Sequence, residues 1–146
     1  MAGFVGYRSE AEIEEVVRRF EECTFTPEEF VHARHLTVAT WYFLRHDAET
    51  AAERMRAGLW KFIRHHGKNG YHETITGFWL RMVERESRNA GRLDGNGGGD
   101  VVAAVNAIVE RLTNKDLIYR YYSRERVGSA EAKAGWIEPD VRELED

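Results

Sequence analysis

Cysteine occurs once in the 146 residues, at Cys23. A lone thiol closes no intrachain disulfide and builds no cysteine zinc ribbon, and such sparing use suits a reducing cytoplasm. Proline is almost as scarce. Pro27 and Pro139 stand near the two ends and leave a long interior free of proline breaks. No apolar run approaches the ~18 residues of a membrane span, so no membrane association is expected. The opening MAGFVGYRSEAE lacks a basic region followed by an apolar stretch, the pattern of a secretory leader. There is no excess of basic charge either: 21 Lys and Arg face 25 Asp and Glu, a net −4. Arg54, Arg56, Lys61 and Arg64 gather on one segment, but one cluster in an acidic chain falls short of the basic stripe of a nucleic-acid binder. Nucleic acid is therefore not an expected partner.

What is present is apolar and aromatic: 42% hydrophobic and 12% aromatic residues, too much for a disordered chain. The patterning is helical. Ser9-Glu10-Ala11-Glu12 reads as a capping box, followed by Ile13, Val16, Val17 and Phe20 at helical spacing. Thr26-Pro27-Glu28-Glu29 carries a second set of start signals for a helix running to about Arg45. Asp47 caps a third, with the stripe Ala48, Ala51, Ala52, Met55, Leu59, Phe62 and Ile63, and Gly67 ends it in a left-handed cap. A fourth covers roughly residues 71–89. GRLDGNGGGD, residues 91–100, lacks the strand and the GK[ST] that a phosphate loop needs, and reads as a flexible linker. Asp100 caps a fifth helix with Val101, Val105, Ile108 and Leu112 on one face. Ser123 and Ser129 look like caps of short turns in a tail anchored by Tyr119, Tyr121, Tyr122 and Trp136. The expected architecture is all-α. It is a single-domain bundle of about five main helices over residues 1–146, with 91–100 as a flexible loop and 115–146 as an ordered C-terminal arm.

Histidines are the unusual feature. On a wheel of about 100° per residue, His32 and His35 fall in the middle of the apolar face of the second helix, with Glu28 one turn earlier. Phe30, Trp41 and Leu44 make a second apolar strip behind. On the fourth helix His72 shares the inward face with Ile75, Phe78, Trp79, Met82 and Val83, with Thr76 beside it and Glu73 at the margin. His66 continues the stripe of the third helix. Two histidines at i and i+3 can reach one point, and a third from a neighbouring helix completes three-ligand coordination with an open position. Imidazoles suit zinc, iron or copper. The expected ligands are His32, His35 and His72. Glu73, Glu28 and Tyr71 are candidates for catalytic roles, and His66, Thr76, Tyr122 and Trp79 for supporting or lining the pocket. The competing reading is that these histidines are core residues satisfied by single hydrogen bonds. Familiar motifs are absent. YHETIT has Thr76 where HExxH needs its second histidine, Glu29-Phe30-Val31-His32 is a lone ExxH, and no G-x-S-x-G occurs.

The strings FVHARHLTVATWYFLR, FIRHHGKNGYHETITGFWL and RYYSRERVGSAEAKAGWIEPD resemble a group of small bacterial hypothetical proteins with the patterns F-x-H-x-x-H-L-x-x-A, H-G, Y-H-E-T-I-T, Y-S and W-x-x-P-D. The resemblance covers residues 30 to 140 and implies one helical domain; it implies no activity. It touches His32, His35, His66, His72, Glu73, Thr74, Trp136 and Asp140, and the glycine-rich stretch departs from it.

Two functions follow as expectations. One is a small metal-dependent enzyme, a hydrolase or an oxidoreductase, acting on a small molecule through a divalent transition metal. The other is a non-catalytic helical module that binds a ligand or a protein in a histidine-lined pocket. On the second reading, the strip of Phe30, Trp41 and Leu44 is an interface, as in a homodimer.

Overall fold

A computed structural model describes residues 6–90 and 100–144. The expected flexible linker therefore lies, apart from Asp100, outside the described residues. Five long helices dominate: α1 (Glu10–Glu21), α2 (His32–Arg45), α3 (Ala48–His65), α4 (Glu73–Ala90) and α5 (Val101–Arg111). A 3-10 helix (Lys115–Arg120) and two short helices, α6 (Arg124–Val127) and α7 (Ala130–Ala134), follow. No strand occurs among the described residues.

Local chemistry sets most helix ends. Ser9 and Glu12 form the reciprocal capping box of α1. Asp47 accepts from the Thr50 N–H at the start of α3, and Asp100 from Val102 and Ala103 at the start of α5. Ser123 and Ser129 cap α6 and α7 in the same way. Gly67 closes α3 at φ 66°, donating to Arg64 O while Lys68 N–H reaches Ile63 O. That is a Schellman closure, which needs the left-handed conformation glycine adopts freely.

The second helix departs from expectation. The Thr26–Glu29 capping box forms, but it closes a single turn, with Phe30 N–H on Thr26 O at 3.1 Å. Val31 is extended (ψ 169°), and α2 restarts at His32. Tertiary packing explains the break. The buried Phe30 ring is drawn into an aromatic cluster with Phe20 (4.8 Å), Phe62 (5.1 Å), Phe25 (5.9 Å) and the His35 ring (4.0 Å). Several contacts of this kind outweigh the modest propensity of one more helical turn.

Once started, α2 is the centre of the fold. It packs on α1, α3, α4 and α5, and Leu36 to Thr40 and Tyr42 to Leu44 are all buried. A helix apolar on all sides belongs in a core. The second strip on it is used internally: Phe30 and Leu44 are buried, and Trp41 lies beneath Arg45 at 4.0 Å. Most of the strip expected to serve an interface is thus buried within one chain, and the partly buried Trp41 is its remaining outward part.

After α5 the chain folds back onto α4. Thr74 Oγ1 donates to Gly135 O (2.7 Å) and accepts from Ile137 N–H (3.2 Å). The Asp140 carboxylate accepts from Ser123 N–H (2.8 Å) and Oγ–H (2.7 Å). Trp136 lies under the Arg81 guanidinium at 4.2 Å. Three positions carried by the resemblance, Thr74, Trp136 and Asp140, thus meet in a seam that ties residues 135–140 to the helices.

Packing is tightest where α3 crosses α1. A Cβ on Gly58 would stand 2.5 Å from Phe20 Cε2, and Phe20 is locked in the aromatic cluster. Gly58→Ala improves helix propensity by ~1 kcal/mol yet should destabilise the protein by a net ~1–2 kcal/mol, because overpacking a rigid core costs more. Urea denaturation measures the sign.

Candidate functional site

Where α2, α3 and α4 face one another, the core is not filled. A hollow of about 220 Å³ is walled by His32, His35, Leu36 and Ala39 of α2 and by Met55, Leu59 and Ile63 of α3. The far wall is Gly70, Tyr71 and His72 of the connecting loop and Ile75, Thr76, Trp79, Leu80 and Val83 of α4. A second hollow adjoins it. His32, His35, Ile75 and Trp79 border both, and Lys115, Asp116, Ile118 and Tyr119 of the 3-10 helix line the second alone. The inner chamber is lined by apolar side chains and histidine, tyrosine and threonine, and by no carboxylate.

The three histidines chosen as ligands do border one space, but their nitrogens serve other ends. His72 stands immediately before α4. Its Nδ1 accepts from the Ile75 N–H (3.0 Å), capping the helix, and its Nε2–H donates to Val127 O (2.8 Å), the last residue of α6. An imidazole that accepts at one nitrogen and donates at the other has no lone pair left for a metal. His32 donates Nε2–H to Leu112 O (3.0 Å), a carbonyl left over at the end of α5, and its ring meets Trp79 edge to face at 4.5 Å. His35 stacks on Phe30. Burial, with His32 beside it, pushes its pKa down to about 4 against a weaker upward pull from the Phe30 carbonyl. Burial also lowers that of His32. Among the described residues no group of three or more His, Cys, Asp or Glu side chains is disposed to hold a metal ion. In this arrangement His72 has no lone pair to offer as the third ligand.

The candidate carboxylates lie off the chamber wall. Glu73 turns away into a clamp. Its Oε2 receives Arg56 of α3 at 2.9 and 3.2 Å, and its Oε1 receives the Tyr71 hydroxyl at 2.5 Å. It is a structural tie between α3 and α4, not a base facing the hollow. Tyr71 contributes its ring to the wall, stacked on Trp60 at 4.5 Å. Burial and the Glu73 carboxylate push its phenol up to about 12, so it does not ionise near neutrality. Glu28 is exposed on the isolated turn, because the helix that would have carried it inward begins four residues later. Tyr122 is fully buried away from the hollow with its hydroxyl on Ile137 O (2.6 Å). His66 caps the end of α3 against Phe62 and does not line the chamber. Thr76 and Trp79 are on its wall as expected. Sequence reasoning missed Lys115, Asp116, Ile118 and Tyr119, which no local pattern relates to α2.

Searches against protein-family models, curated proteins and solved structures find no match to this chain.

Two predictions follow from the histidines. His72→Ala removes both the α4 cap and the bond to Val127 and should cost ~2 kcal/mol by chemical denaturation. His72→Asn keeps the cap and should recover about half of that loss. The folded chain takes up a proton on His35 only near pH 4, whereas an unfolded chain does so near the ordinary 6.5. The unfolded state therefore binds more protons between these values, and stability is complete above pH 6.5 and declines as pH falls toward 4. At pH 5 the loss from this group is about 2 kcal/mol. Urea titrations at pH 7.5 and 5 should show it, and His35→Gln should flatten the difference.

Proposed function

We propose that this protein is a non-catalytic helical module that holds a compact, predominantly apolar small molecule between α2, α3 and α4. The observation that carries this reading is the hollow itself. About 220 Å³ of space between three packed helices leaves apolar side chains without partner atoms on one side, a deficit that a guest of matching shape offsets. The volume exceeds the ~150 Å³ of an apolar cavity that accepts a benzene ring. The apolar walls supply affinity, and the few polar side chains on them orient the guest.

This reading is preferred to a metal-dependent reaction because His72 is committed at both nitrogens and Glu73 is paired with Arg56. His72, the third imidazole on the chamber wall, has both nitrogens engaged, and Glu73 is not among the residues that line it.

The test uses toluene and indole as apolar probes. Either should raise the melting temperature and shift the methyl resonances of Leu36, Leu59, Ile75 and Leu80 at millimolar concentration. Ala39→Leu, which fills the chamber from α2, should abolish both effects while preserving the fold. Failure of both probes to bind the wild type, or undiminished binding to Ala39→Leu, would overturn the reading.

A further inference from the structure

The outer face of α3 carries charge that the fold does not use. From Arg54 to His72 the chain has Arg54, Arg56, Lys61, Arg64 and Lys68 and no Asp or Glu, although acids outnumber bases overall. Arg56 is paired with Glu73. Among the described residues none of Arg54, Lys61, Arg64 and Lys68 forms an ion pair. Lys61 Nζ donates to a backbone carbonyl, that of Glu21, which carries no formal charge to offset its own. At about 100° per residue, Arg54, Ala57, Trp60, Lys61, Arg64 and His65 share a sector of about 140°, and all six are exposed. Trp60, at 45%, is the one exposed Trp, Tyr or Phe among the described residues. Tyr71 stacks on its ring at 4.5 Å, and Arg64 Cζ stands 5.9 Å from its centroid. The helix dipole favours cations in the last turn, here Arg64 and His65. It accounts neither for Arg54 nor for the exposed indole.

From this face we infer that α3 docks a short acidic segment of a partner protein, with an apolar side chain of that segment on Trp60 and its carboxylates on Arg54, Lys61 and Arg64. The inference concerns the outside of a helix whose other side walls the chamber, and it does not depend on the chamber reading. Charge complementarity names the partner. Guanidinium groups take carboxylates through paired hydrogen bonds, and Trp and Arg are the residues on which interfaces concentrate their energy. The length of the face limits the segment. Arg54 to His65 spans about 17 Å of helix, which is about five residues of extended chain. Acids bound the face, with exposed Glu53 before Arg54 and exposed Glu21 beside Lys61. A phosphate backbone running past the cations would meet those carboxylates and a chain of net charge −4. A bilayer fits less well, because an interfacial helix inserts a whole apolar side, and Trp60 is the only large apolar side chain exposed on this face.

The probe is a synthetic peptide of about seven residues, glutamates around a central leucine, titrated by calorimetry and followed by the indole 15N–1H resonances. It should bind, and its affinity should fall about tenfold between low salt and about 0.5 M salt. It should move the Trp60 indole resonance, assigned by its loss in Trp60→Phe, and leave those of the half-buried Trp41, Trp79 and Trp136 in place. Arg64→Glu should weaken binding about tenfold. Its melting temperature should stay near that of the wild type, because exposed substitutions change stability little. Exchanging the peptide's leucine for glycine should weaken binding about fivefold through the lost apolar contact. The inference falls if the peptide does not bind at millimolar concentration, if the Trp60 resonance stays still at saturation, or if Arg64→Glu binds as well as the wild type. It falls also if a single-stranded oligothymidylate of matching length binds tighter, which would make the face a nucleic-acid site. Tighter binding to phosphatidylserine vesicles would overturn it in favour of a membrane surface.

Discussion

One imidazole joins two helix ends. At the start of α4 the first N–H groups have no partner within the helix, and at the end of α6 the last carbonyls have none. His72 meets one of each, taking the Ile75 N–H on Nδ1 and giving Nε2–H to Val127 O. The side chain thereby fixes where α4 begins and where the short C-terminal helices rest against it. Thr74, two residues on, repeats the device with its hydroxyl between Gly135 O and Ile137 N–H. Glu73 between them turns the other way, to Arg56 of α3. Three consecutive residues thus tie the first turn of α4 to both of its neighbours, and the far wall of the chamber is held in place as a result.

His32 plays a parallel part on α2, donating to the carbonyl of Leu112 at the end of α5. Both histidines occupy inward positions for a structural reason, yet they differ in what remains. His72 is saturated. His32 spends one nitrogen on that bond, and His35 beside it is held neutral by burial. A chamber with mostly apolar walls and no carboxylate among its lining residues selects chiefly by shape.

His32, His35, His72, Thr76 and Trp79 fall on inward faces of a helical wheel, and all five line the same hollow. Glu28 does not join them, because Phe30 breaks the helix by joining Phe20, Phe25 and Phe62 and leaves Glu28 exposed on a separate turn. Tyr122 lies off the hollow because its hydroxyl is held by Ile137 O, in a segment that folds back from further along the chain. A periodicity argument resolves which face a residue occupies. It does not resolve which atom of the ring meets which partner, and for a histidine that distinction separates a metal ligand from a helix cap.

By itself the amino-acid sequence determined the helical character of the chain and most helix boundaries: the capping box at Ser9, the Asp47 and Asp100 caps, the serine caps of the short helices and the left-handed Gly67. Each depends on groups within a few residues of one another, so local chemistry suffices. Only the tertiary structure decided that Glu73 pairs with Arg56, that His72 and His32 donate to carbonyls 55 and 80 residues away, and that α2, α3 and α4 meet around unfilled space. These are contacts between distant parts of the chain, set by how whole helix faces pack, and no local pattern encodes them.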